Sequence, residues 1–326
     1  MAANLTPEYL EAEKRFKSAR TTDEKVEALE GMLATIPRHK GTEKLQAELK
    51  RRLSKLRAGP ERRPVSRVGL MHRVEKEGAG QVVLVGPPNS GKSQLLRRLT
   101  RATPEVADYP FTTRAPLPGM MAFEDIQIQL VDLPPVHADF PETWLYQIIR
   151  NADAALLVVD LSDADLLEDL EATLAELRNV KVDLSAPAAP NSAGWVLVKT
   201  ILVGNKRDAS DAARDVEILK ELYGDRFPIL QVSANTADGL EGLRWAIFEL
   251  LELVRVYTKA PGKKADLTAP YVLKRGSHLI DLAAMVHHDF LTQLRYARVW
   301  GHGRFEGQMV NRDYQLADKD VIELHR

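Results

Sequence analysis

The chain has 326 residues, 44% hydrophobic and 28% charged, with a formal net charge of −1. That length and balance predict a folded chain of two or three domains. It holds no cysteine, which excludes disulfides, thiol nucleophiles and thiolate metal sites. No apolar run reaches membrane-spanning length and Met1-Ala2-Ala3-Asn4 opens no signal-peptide pattern, so a cytoplasmic location without membrane contact is expected.

Residues 1–66 read as a basic N-terminal segment, helical to about residue 58. Thr6 can cap a helix with Pro7 at its first position, and Thr21-x-x-Glu24 is a capping box. The stripe Val26, Leu29, Leu33, Ile36 ends at Pro37, and a further stripe runs Leu45, Leu49, Leu53, Leu56. Short connections between such helices favour an antiparallel hairpin. From Arg38 to Arg73 there are twelve Lys or Arg, opposed only by Glu43, Glu48 and Glu61. This excess suits a phosphate backbone, and equally a solvated helix face running into the irregular linker 67–80.

From 81 to 257 strand and helix patterns alternate, with strands expected at 81–86, 126–131, 154–160, 200–204 and 228–233. Alternation of this kind predicts a doubly wound, mostly parallel α/β sheet. The last helical stripe runs Leu240, Leu243, Ile247, Leu250, Leu251, Val254, and Asp183 to Gly194 reads as a surface loop.

The first strand leads into Gly86-Pro87-Pro88-Asn89-Ser90-Gly91-Lys92-Ser93, the phosphate-loop pattern G-x-x-x-x-G-K-S between a strand and a helix. Its backbone N–H groups and the helix start cradle phosphates; Lys92 reaches the β- and γ-phosphates and Ser93 ligates Mg²⁺. Three further motifs follow strands, at the sheet edge where ligands bind. Asp132 can reach Mg²⁺. Asn205-Lys206-Arg207-Asp208 offers a carboxylate that accepts two hydrogen bonds from guanine and disfavours adenine. Asn205 can bond the base or brace the phosphate loop, and Lys206 can lay its stem over the base. Ser233-Ala234 is small enough for backbone N–H groups to approach the guanine oxygen. In the loop Tyr109-Pro110-Phe111-Thr112-Thr113, a threonine can ligate Mg²⁺ when γ-phosphate is present; Thr113 is favoured over Thr112.

After a linker at 258–264, residues 265–326 read as a separate α+β unit, with strands at 269–274, 296–300, 308–310 and 321–325 and a helix at 277–289. Five histidines lie in it (278, 287, 288, 302, 325), and surface or packing roles are assigned to them rather than a metal site.

The set GPPNSGKS, DYPFTT, DLPP, NKRD and SA resembles the five motifs of translation-factor-class GTPases, and Asp108 to Thr113 resembles the Obg family, including the developmentally regulated GTP-binding proteins. Leu273 to Ser277, Tyr296 to Gly301 and Asp318 to His325 are similar to a TGS domain, a ubiquitin-like β-grasp module. The resemblance implies GTP and GDP as ligands with Mg²⁺, ribosome or RNA contact through the basic helices and the TGS domain, and an activating protein partner. It also implies a K⁺ ligand role for Asn89. Two departures matter. The family pattern D-x-P-G is here Asp132-Leu-Pro-Pro135, with Val136 where many GTPases keep a water-positioning glutamine, and the spacing leaves no room for the extra domain inserted in the developmentally regulated proteins. Slow hydrolysis is therefore expected, with a scaffold of little activity as the alternative.

Overall fold

Most apolar runs and helical stripes fold where the sequence puts them, with exceptions that include residues 182–185 and the end of the last helical stripe of the 81–257 region. The computed structural model describes residues 7–18, 22–36, 46, 48–51, 53, 74–100, 115–136, 143–185, 194–301 and 307–325. The chain divides into two units, Met1–Met71 and His72–Arg326.

In the first unit α1 (Pro7–Ser18) packs on α2 (Thr22–Thr35). Tyr9, Leu29, Met32, Ile36 and Leu49 form its core, with Phe16, Leu33 and Leu53 against it. Thr6, Thr21, Leu45, Leu56 and most of the basic stretch lie outside the described residues; Lys50 and Arg51 are described, and are exposed.

The second unit opens with a sheet in the order β2-β3-β1-β4-β6-β5, with β7 pairing the far half of β6. Its strands are β1 (Gln81–Val85), β2 (Leu117–Phe123), β3 (Ile126–Asp132), β4 (Ala154–Asp160), β5 (Val182–Ser185), β6 (Val196–Asn205) and β7 (Ile229–Gln231). All pairs are parallel except β2 with β3. Helices α3 (Lys92–Leu99), α4 (Thr143–Asn151), α5 (Leu166–Asn179), α6 (Ala212–Tyr223) and α7 (Leu240–Leu251) connect them. The central strands are buried on both faces, so their apolar residues feed two cores, one under α4, α5 and α6 and the other under α3 and α7. β5 starts the stretch that the sequence assigns to a surface loop; Val182 and Leu184 are buried against α5, which overrides the small polar residues after them.

The second exception is the end of α7. Its stripe predicts helix through Val254 and a domain limit at 257. The helix stops at Leu251, Glu252 turns in the left-handed conformation (φ 50°), and β8 (Leu253–Thr258) begins at once. β8 belongs to the next sheet, ordered β11-β10-β12-β8-β9, with β9 (Tyr271–Lys274), β10 (Tyr296–Trp300), β11 (Gln308–Val310) and β12 (Asp320–His325). β8 pairs β9 antiparallel and β12 in parallel, the pairing of a β-grasp. One helix was expected over 277–289; two form, α8 (Leu279–Val286) and α9 (Asp289–Gln293). Leu279, Leu282 and Ala283 of α8 close this core over Val256, Val299 and Ile322. Among the described residues no helix is long and apolar enough to cross a membrane.

Candidate functional site

β1 delivers the chain to the phosphate loop between β3 and β4: Leu84 pairs Asp132 on one side and Leu156 on the other. A Cβ at Gly86 would strike the Val158 carbonyl oxygen, and one at Gly91 (φ 86°) would strike the Asn205 amide nitrogen, so neighbouring strands demand glycine at both positions. The loop then enters α3 with no side-chain cap, leaving its first N–H groups for a ligand.

An open cleft of about 470 Å³ lies in front of α3, lined by Asn89, Lys92, Ser93, Asp132, Pro135 and Lys206 among others. The Lys92 ammonium turns back onto the loop, donating to the carbonyls of Gly86 (2.9 Å) and Pro87 (2.7 Å). Ser90 is fully buried, and its hydroxyl donates to the Pro87 carbonyl at 3.0 Å. Burial pushes Lys92 down to about 8, against the attraction of Asp132. Pro88 and Asn89 are exposed at the rim, Asn89 in the left-handed conformation (φ 60°).

Asp132 ends β3 facing Ser93, whose hydroxyl donates to its Oδ2. Its other oxygen, Oδ1, is buried with no hydrogen-bond partner. Burial pushes this carboxyl up, opposed by the Ser93 hydrogen bond and the charges of Lys92 and Arg97. A buried orphan carboxylate oxygen beside a hydroxyl is the donor set of a hard divalent cation, so these residues fit Mg²⁺. Thr112 and Thr113, and with them the expected third ligand, lie outside the described residues.

Asn205, fully buried at the end of β6, braces two loops at once. Its Nδ2 donates to the Ser90 carbonyl at 3.0 Å, and its Oδ1 accepts the Ala234 N–H at 3.0 Å. Of the two roles open to it, the geometry gives bracing, and it engages the Ala234 N–H that was expected to meet guanine. Asp208 is exposed on the following turn; hydrogen bonds, first from Ser233, hold its carboxyl below the usual carboxylate range. The Ser233 hydroxyl accepts the Thr236 N–H at 3.0 Å, closing the loop.

Two side chains that shape the site carried no motif. Asp160 ends β4 and pairs with the Lys206 ammonium, while accepting the Ser162 N–H (2.9 Å) and hydroxyl (2.6 Å). Burial raises its carboxyl, but these bonds outweigh burial and hold it low. Lys206 is left-handed (φ 61°), and the ion pair fixes its stem beside the cleft. Arg98 of α3 donates to the carbonyls of Ala234 and Asn235, both at 2.9 Å. The signal for Asp160 was available, since it ends an apolar strand as Asp132 does. In the C-terminal unit the His278 backbone N–H donates to Asp281 (2.8 Å), His287 Nδ1 accepts the Asp289 N–H (3.2 Å), and His325 meets Glu323 (2.7 Å).

Comparison with known proteins agrees with this geometry. The family model described as 50S ribosome-binding GTPase matches residues 81–187, and the TGS domain model matches 254–326. An uncharacterized GTP-binding protein of Methanocaldococcus jannaschii is 28% identical over 360 residues, covering 93% of this chain and 92% of its own. Developmentally-regulated G-protein 3 of Arabidopsis thaliana is 27% identical over 369 residues, covering 93% of this chain and 98% of its own. Those alignments are longer than this chain, so the relatives carry residues with no counterpart in it. The YchF GTPase of Schizosaccharomyces pombe shares the fold over 78% of this chain and 100% of its own, with a TM-score of 0.51 at 13% identity. A phosphate-loop G domain joined to a TGS domain, with relatives of this kind aligned over more than nine-tenths of the chain, places the protein: the chain is a P-loop GTPase with a C-terminal TGS domain, similar along its length to the developmentally regulated GTP-binding proteins.

Proposed function

We propose that this GTPase hydrolyses GTP slowly and acts as a cytoplasmic switch on ribosomes or other structured RNA. In this reading the loop Gly86 to Ser93 and the Lys92 ammonium hold the phosphates. Ser93, Asp132 and Thr113 hold Mg²⁺, which when bound supplies positive charge between the phosphates. Asp208 reads guanine, Lys206 flanks the base, and Asn205 with Ser233 and Ala234 fixes the loops around it.

One observation carries the slow rate. Pro135 has no N–H to offer a γ-phosphate, and the next residue, Val136, is packed in the core with Leu133 and Leu145 rather than aimed at the cleft. Among the described residues no side chain is left there to orient water, so turnover is expected near roughly 10⁻⁴–10⁻² per second. Asn89 at the cleft rim is the proposed K⁺ ligand. Contact with RNA is supported by the family model's description and by the basic excess of residues 38–73.

The second reading, a GTP-binding scaffold with little hydrolysis that docks a partner protein, draws on the same Pro135 and Val136. Two measurements separate them: GTP turnover by purified protein, and RNase-sensitive cosedimentation with ribosomes. Reversing Lys50, Arg51, Arg52 and Lys55 to Glu should weaken cosedimentation and flatten its salt dependence while leaving nucleotide affinity nearly unchanged. Cosedimentation that is insensitive to both RNase and these changes would favour the scaffold.

A further inference from the structure

The TGS sheet has one face covered by α8 and another that is open at the β10–β11 end. Ala297 and Val299 are buried under α8, so Tyr296, Arg298 and Trp300 alternate onto the opposite face. Met309, 61% exposed, sits directly across from Arg298 on β11. His325 stacks on Tyr296 from the β12 side, with ring centroids 4.5 Å apart and planes at 12°. On its β11 side Tyr296 borders an open cleft of about 580 Å³, shared with Arg295, Met309, Val310, Asn311 and Tyr314.

Arginines dominate the rim of this cleft; behind it the Asp320 carboxylate is buried and accepts the Tyr314 hydroxyl at 2.8 Å. Arg295, Arg298 and Arg312 have no carboxylate partner among the described residues. The carboxylate opposite Arg298, Glu323, is nearly buried and already held by Lys259 (3.1 Å) and His325 (2.7 Å). An aromatic ring stacked on its neighbour, an exposed thioether one strand over, an amide at the end and the guanidiniums of Arg295 and Arg298 suit one class of ligand, while Arg312 is held by the carbonyls of Leu294 and Thr292. A nucleobase has a π-face for the ring, edge groups for the Asn311 amide, and a phosphate on either side for the arginines.

We propose that this cleft seats an unpaired base of single-stranded RNA between Tyr296 and Met309, with Asn311 at the base edge and Arg295 and Arg298 on the flanking phosphates. It rests on, and deepens, the reading of the protein as an RNA-bound GTPase.

The test is fluorescence anisotropy of a labelled, unstructured single-stranded RNA octamer of mixed sequence with the full chain loaded with GDP. Tyr296→Leu, which keeps apolar bulk beside His325 but removes the ring face, should weaken binding about tenfold. Met309→Glu changes an exposed residue and threatens folding little; it should weaken binding by at least as much. Arg298→Ala should lower the slope of log affinity against log salt by about one. GDP affinity, measured on each variant, should stay at the wild-type value. Wild-type octamer affinity in both Tyr296→Leu and Met309→Glu, or no octamer binding by the unaltered protein, overturns the proposal. Ribosome cosedimentation of the unaltered protein, run in parallel, tells the failures apart: if it persists, only the base cleft is wrong, and if it is absent, the RNA-bound reading falls as well.

Discussion

Arg255 and Asp318 are locked together by a two-pronged ion pair, Nε to Oδ1 at 3.1 Å and Nη2 to Oδ2 at 2.6 Å, with the arginine side chain fully buried. The third nitrogen of the same guanidinium leaves the TGS sheet and reaches the β2–β3 turn, meeting Glu124 at 2.6 Å and Asp125 at 3.0 Å. The cation also lies over the Phe248 ring of α7, 4.9 Å from its centroid. One side chain thus joins two domains. Arg255→Met keeps the stem but takes the ion pair from Asp318, while Glu124 keeps Lys319 (3.0 Å) and Asp125 keeps the Tyr257 hydroxyl. The expected cost is about 3 kcal/mol in urea unfolding of the full chain, because a broken buried pair leaves uncompensated charge. A loss under about 1 kcal/mol would show that the acids relax into solvent instead.

The same cluster makes stability depend on acid. Burial raises the Asp318 carboxyl, but hydrogen bonds and charge from Arg255 outweigh it and hold the group below the usual range. A folded-state value depressed below the unfolded value of about 3.9 adds stability above that pH, which is lost as pH falls through the folded value. Unfolding midpoints should therefore drop below pH about 4 in the native protein, and drop less steeply in Arg255→Met. Parallel pH profiles for the two proteins would contradict the assignment.

Asn205→Ala removes the brace between the Ser90 carbonyl and the Ala234 N–H, both at 3.0 Å and buried. Leaving two buried backbone groups unpaired should cost about 2 kcal/mol of stability. It should also quicken GDP release, because the phosphate loop and the base-side loop lose their common anchor. Stopped-flow release of a fluorescent GDP measures this; an unchanged off-rate would confine Asn205 to folding.

Asp208→Asn presents an NH₂ donor to the guanine donors. GTP affinity should fall by on the order of 2–4 kcal/mol. Titration with GTP, ATP and xanthosine triphosphate reads the change, and native protein that binds ATP as well as GTP would refute the guanine assignment. Asp208 is exposed, and the amide oxygen of Asn can still accept from Ser233, so the variant should fold normally.

The nucleotide site was largely legible because each of its motifs follows a short, continuous apolar run. β4 and β10 fall at 154–160 and 296–300 as their apolar residues dictate. What was hidden is instructive. Val254 continues the helical spacing of Leu250 and Leu251, yet it lies in a strand, because β8 is buried on both faces and so carries no alternation to give it away. β2 contains Pro118 and Gly119, which argue against a strand, but it is an edge strand with only β3 beside it, where both residues are tolerated. Asp160 ends β4 and Lys206 follows β6, so although the strand end marks Asp160, their pairing is a long-range contact that no local pattern states.

Pro135→Gly restores an N–H at the point where the family pattern has one. Discrimination between a GTP analogue and GDP should tighten by about 1 kcal/mol. Single-turnover hydrolysis in K⁺ and in Na⁺, for native protein and Asn89→Ala, tests the rest. Fast hydrolysis without a partner would refute the consequence drawn from Pro135 and Val136, and equal rates in both salts would remove the ion from Asn89.

Only Glu252 separates α7 from β8, and Leu253 and Val272 of the TGS sheet sit in the same apolar cluster as Phe248 and Leu251. The core of the G domain is therefore finished by the module that follows it. A fragment cut at residue 257 would carry β8, five of whose six residues are buried, with no sheet to receive it. A naked apolar strand of that kind seeds aggregation. A fragment cut at Leu251 would instead lay bare the patch that Leu253 and Val272 fill. Exchanging either module alone would leave this seam unmatched, so a swap has to carry both of its faces.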